Sequence, residues 1–140
     1  MCRLSEIMVL LAFFKPSLTW GLTIGCLLAN VTGAAIGQGF PIDILFGTMA
    51  TLIACLLEAY ASPRLFVAAL WPVAINGLIV GTEIYFMFNE GKLPLAACMG
   101  WVALRELIAM AVGYAVFMIL LRNKPAMRLL APTRHADVRY

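Results

Sequence analysis

The sequence predicts an all-α integral membrane protein: a helical bundle of four spanning helices plus a short N-terminal helix. Three observations predict it. Hydrophobic residues make up 64% of the 140-residue chain and charged ones only 12%, far from the mixture of core and surface that a water-soluble domain needs. The apolar residues come in four long runs, each near the roughly 20 residues that a helix rising about 1.5 Å per residue needs to cross the hydrocarbon. With the exception of Arg105, the basic residues fall between or beyond those runs.

In chain order, the stretch IMVLLAFF at residues 7–14 is apolar but too short to span, and Lys15-Pro16 closes it. It reads as part of a short or half-inserted helix over 4–14. It lacks the basic leading region and small-residue cleavage site of a signal peptide. The first span, 17–36, carries Asn30, and the second, 42–61, has Asp43 at one end and Glu58 at the other. The third, 65–88, crosses despite Pro72, Asn76 and Glu83, and the fourth, 95–121, holds Arg105 and Glu106 side by side. Residues 1–121 therefore form one membrane bundle, followed by a basic tail over 122–140.

Orientation follows from the preference of Lys and Arg for cytoplasmic loops. With the C-terminus inside, Lys15, Arg64, Arg122, Lys124, Arg128, Arg134 and Arg139 face the cytoplasm, leaving only Arg3 and Lys92 outside. The first residues then fall near the outer face, so an outward-going helix is expected before them. Under this topology Asp43 opens the second span at the outer surface. Glu83 and Asn30 lie in the outer part of the bundle, Asn76 lies two turns below Glu83 on nearly the same face, and Glu106 is near mid-membrane. Glu58 is the exception, expected near the cytoplasmic end within reach of water.

An ionisable side chain inside the bilayer costs at least a few kcal/mol, so it marks a functional site or a structural ion pair. Neighbours on a helix project about 100° apart, so Arg105 and Glu106 point to different faces and need different partners. Glu106 and Glu83 are read as cavity-lining residues, with Arg105 pairing to a carboxylate on another helix, such as Glu83, as the structural alternative. Gly77 and Gly81, and likewise Gly21 and Gly25, form small-xxx-small pairs suited to close helix approach. Cys2, Cys26, Cys55 and Cys98 have no metal-binding spacing and read as small packing residues. No hydrolase, nucleotide-binding or nucleic-acid motif is present, so no enzyme activity, cofactor, metal or nucleic-acid partner is expected. Energy for active transport would come from another subunit.

The strings RLSE (3–6), GLTIGCLLAN (21–30), DILFGTMATLIACLL (43–57), PVAINGLIVGTEIYFMF (72–88) and RELIAMAVGYAV (105–116) resemble, in order and spacing, the queuosine-precursor transporter family QueT. The resemblance covers nearly the whole chain except the tail. It implies the substrate-binding membrane subunit, or S component, of an energy-coupling factor transporter in a bacterial plasma membrane, working with a transmembrane coupling subunit and two cytoplasmic ATPases. It also implies a six-helix fold whose first helix precedes the RLSE element, whereas here only Met1 and Cys2 stand before it, and a small residue at the position of Arg105.

The ligand class so implied is queuine or a related 7-deazaguanine, with substrate contacts expected from Glu6, Asn30, Asp43, Asn76, Glu83 and Glu106. A 7-deazaguanine presents adjacent N–H donors that one ionised carboxylate, of Glu83 or of Glu106, can accept together. Two other readings stand beside this one: an S component for another small vitamin-like molecule, and a non-transporting assembly protein or N-terminally truncated fragment.

Overall fold

A computed structural model describes residues 4–37, 41–88, 92–123 and 125. Among them the only regular structure is helix, with no strand. The elements are α1 (Leu4–Val9), α2 (Leu11–Phe14), α3 (Leu18–Ala35), α4 (Pro41–Ala61), α5 (Leu65–Phe88) and α6 (Leu95–Arg122). Helices α3 to α6 are each long and apolar enough to cross a membrane, so the predicted fold class holds. The tail from Lys124 on lies, apart from Pro125, outside the described residues.

Proline and glycine set the boundaries. Lys15, driven out of the helical region by the following Pro16, is extended at φ −137° and ends α2. Helix α3 closes on Gly37, whose φ of +72° is the left-handed conformation that glycine adopts without strain; its N–H donates to the carbonyl of Ala34 at 3.2 Å. Pro41 occupies the first position of α4, where its missing N–H costs nothing. At the far end of α4 the Ser62 hydroxyl donates to the carbonyl of Leu57 at 3.1 Å, and Pro63 follows. Helix α5 runs through Pro72.

The long helices form an antiparallel row: α3 packs on α4, α4 on α5 and α5 on α6, while α1 packs mainly on α6 and α2 on α4. The short pair is therefore a wedge. One side of it, Leu10, Phe13 and Phe14, joins Leu65, Ala68, Ala69, Met110 and Phe117 in the main core, where Phe14 stacks on Phe117 with ring centroids 5.8 Å apart. The other side, Val9 and Ala12, packs with Cys55 and Leu22. Leu65 begins α5 and Phe117 lies near the end of α6, so this core fills the end of the bundle that carries Lys15, Arg64 and Arg122.

Two sequence expectations are corrected here. The short helix is split at Leu10 into α1 and α2. Its start does not lie at the face opposite the basic end, because Ile7 packs against Gly113, roughly 27 Å along α6 from Leu95 at about 1.5 Å per residue. The apolar wedge thus fills much of the basic half of the bundle, beside Thr19 and Glu58, and leaves Asn30 and Glu83 to the other, polar half.

The glycine pairs behave differently from each other. A Cβ on Gly77 would meet that of Ala103 at 3.1 Å, and one on Gly81 would stand 2.6 Å from the Met99 Cα. This pair brings α5 and α6 into backbone contact, as small-xxx-small spacing predicts. Gly21 and Gly25 have nothing within 4 Å and lie on the exposed side of α3.

Candidate functional site

Most buried polar side chains sit on the inward faces of the four long helices. Asn30, Glu58, Glu83 and Glu106 are all buried, Asn76 is half-buried, and Arg105 is on the exposed side of α6. Arg105 and Glu106 therefore part to different faces, as their helical spacing requires. The contacts of Gly77 with Ala103 and Gly81 with Met99 fix the α5–α6 register. In that register Glu83 lies roughly 13 Å farther from the basic end than Glu106, and Asn76 roughly 3 Å farther. The expectations on Glu6 and Asp43 rest on side chains that lie outside the described residues.

Asn30 is held by the seam between α3 and α4. Its side chain lies over Gly47, where a Cβ would come within 2.9 Å of Nδ2, so the missing side chain on α4 is what admits the amide. The same Nδ2 donates to the Cys26 sulfur at 3.5 Å. That sulfur is 3.1 Å from the Thr51 hydroxyl and 3.8 Å from the Gly47 carbonyl, to which the thiol donates. Thr51 also bonds back to Gly47 at 2.9 Å. Cys26, read from the sequence as a packing residue, is thus the polar junction that positions Asn30. Its spacing of four from Asn30, one helical turn, is the signal that could have revealed it.

Glu58 is a further correction. It was expected to reach water near the end of its helix, yet its side chain is fully enclosed. The wedge accounts for this, because Val9 and Ala12 cover Cys55 one turn away on α4. The pairs Asn30–Gly47 and Cys26–Thr51 set an α3–α4 register that brings Thr19 level with Glu58. Glu58 also lies within electrostatic reach of Glu106, although α4 and α6 are not neighbours in the row. Sequence reasoning missed Glu58 as a member of the interior polar set.

The arrangement can therefore offer carboxylate and amide groups to a polar molecule inside an otherwise apolar bundle, the setting in which membrane-embedded ionisable residues form ligand pathways. A family model for the QueT transporter matches residues 1–122. The chain belongs to the QueT transporter family. No curated protein and no solved structure matches it. QueT membership agrees with the resemblance read from the sequence, and the match spans all four long helices. The buried glutamates of this QueT chain lie in a multi-pass membrane protein of a transporter family.

Proposed function

We propose that this QueT chain is the S component that binds a queuosine precursor, queuine or a related 7-deazaguanine, for uptake by an ATP-driven energy-coupling factor transporter. The observation that carries the reading is the burial of Asn30, Glu83 and Glu106 on three separate helices, with Asn30 and Glu83 away from the apolar wedge at the basic end. A carboxylate of Glu83 or Glu106 accepts the paired N–H donors of the deazaguanine ring in a charge-assisted contact, and the amides of Asn30 and Asn76 supply both donors and acceptors. The C-terminus is cytoplasmic in this reading, because the basic residues cluster at that end. The polar half of the bundle then loads from outside. A coupling subunit and two ATPases supply the energy.

Titration of the purified chain with queuine, 7-aminomethyl-7-deazaguanine and 7-cyano-7-deazaguanine, against guanine and unrelated vitamins, tests the reading. Saturable binding of a 7-deazaguanine is the expected result. Binding of an unrelated vitamin instead would replace the ligand class while keeping the architecture.

A further inference from the structure

Thr23, Thr32, Thr51 and Thr82 satisfy their hydroxyls within their own helices, each donating to the carbonyl four residues earlier. Thr19 stands in the first turn of α3, where the residue four earlier, Lys15, is extended rather than helical. Its hydroxyl is buried with no hydrogen-bond partner among the described residues, and both carboxyl oxygens of Glu58 share that condition. Only 2% of Thr19 and 0% of Glu58 is exposed.

These two residues face each other across the α3–α4 seam. Cys26 on α3 meets Thr51 on α4, and seven residues toward the basic end, nearly two turns on each helix, bring Thr19 opposite Glu58 on the same facing sides. Packing of Leu22 with Cys55 between these pairs keeps the register. No hydrogen bond joins Thr19 to Glu58. A proton on the carboxyl group would favour such a bond, whereas oxygens that face each other without one are arranged as ligands of a shared cation are.

No basic side chain among the described residues is buried: Lys15 is half-buried, and Arg64, Lys92, Arg105 and Arg122 are exposed. A buried carboxylate without a counter-charge is costly, and one unit of positive charge neutralises Glu58. The donors are hard oxygens, with no group of three His, Cys, Asp or Glu side chains suited to a metal among the described residues, so an alkali cation fits better than a transition metal. The interruption at Leu10 between α1 and α2 lies over this seam, since Val9 and Ala12 on either side of it pack with Cys55 and Leu22. In membrane transporters, interrupted helices supply backbone carbonyls to such ions.

We propose that Glu58 and Thr19 bind a monovalent metal cation of the sodium class at the α3–α4 seam beneath the wedge. The cation neutralises Glu58 and fastens α3 to α4 at the end of the bundle that α1 and α2 close. The site is separate from Asn30 and Glu83 and needs no 7-deazaguanine, so it stands or falls apart from the ligand reading.

The test is thermal melting of the purified full chain in detergent at fixed pH, in sodium chloride against choline chloride at equal ionic strength, with no organic ligand added. Sodium should raise the melting temperature saturably, as mass action requires of an ion that binds only the folded chain, and equilibrium binding of radioactive sodium should saturate at a single site. Glu58→Gln keeps the size of the side chain and removes its charge, so it should abolish the sodium dependence. Thr19→Val keeps the test decisive where the glutamine variant fails to fold: loss of one oxygen ligand should raise the half-saturating sodium concentration on the order of tenfold. Equal melting temperatures of the wild type in sodium and choline overturn the proposal, as does a sodium shift that survives Glu58→Gln or is unchanged by Thr19→Val. Stability that follows pH and ignores sodium would assign a proton to Glu58 and overturn it as well.

Discussion

The backbones of Gly81 and Met99 approach so closely that a Cβ on the glycine would stand 2.6 Å from the Met99 Cα. This contact, with Gly77 against Ala103 one turn away, sets the register in which Glu83, Asn76 and Glu106 take their depths. In a bilayer, where lipid is as apolar as leucine, such close packing is what holds two helices together.

Gly81→Ala should therefore force α5 and α6 apart, because backbone on the facing helix cannot rotate away as a side-chain tip can. A destabilisation of about 1–3 kcal/mol, the usual cost of overpacking, is expected. Gly21→Ala has open space around it and should leave stability within about 0.5 kcal/mol of wild type. Thermal melting of the two variants in detergent checks the contrast. Equal melting temperatures would show that the α5–α6 contact does not limit stability.

Gly47→Ala probes the seat of Asn30. The new methyl would meet Asn30 Nδ2 at 2.9 Å, and because that atom ends a flexible side chain, the amide can turn aside at little cost to the fold. The expected signature is a nearly unchanged melting temperature with ligand binding weakened by about 0.5–1.5 kcal/mol, the net value of one hydrogen bond. Unaltered binding would remove Asn30 from the site.

The four spans were legible because hydropathy and length report membrane crossing directly, and Pro16, Gly37, Pro63 and Pro94 punctuate the chain where helices must stop. That Arg105 and Glu106 take different faces was legible from helical spacing alone; which of the two turns inward was not. Glu58 was not. Counting residues from a helix end gives depth along the axis, whereas exposure depends on what covers that face, and here the cover is a wedge formed by a segment too short to be weighed as part of the bundle. Cys26 escaped for a related reason: its sulfur becomes a polar junction only once α4 brings Gly47 and Thr51 beside it.

Orientation in the membrane is open to direct measurement. Seven of the ten basic residues belong to the end carrying Lys15, Arg64 and the tail, so a reporter fused after Tyr140 should be active only as a cytoplasmic reporter. A fusion at Glu90 should behave oppositely. Activity of an extracytoplasmic reporter at the C-terminus would invert the bundle and place the polar half on the cytoplasmic side.

Glu106→Gln separates ligand binding from structural pairing at the centre of the bundle. The substitution keeps the size of the side chain, removes its charge and turns one acceptor into a donor. As a ligand contact, Glu106 should lose about 1.5–3 kcal/mol of binding on conversion to Gln, with little change in melting temperature. As one half of a buried ion pair, it would leave a cation stranded, and stability should fall by about 3–5 kcal/mol. Arg105→Ala is the control on the exposed face of α6: its side chain is exposed, so removing it should leave ligand affinity near that of wild type. Titration and melting of wild type and both variants give the answer. A Glu106→Gln chain that binds 7-deazaguanines as tightly as wild type would exclude Glu106 from the site and move the ring contact to Glu83.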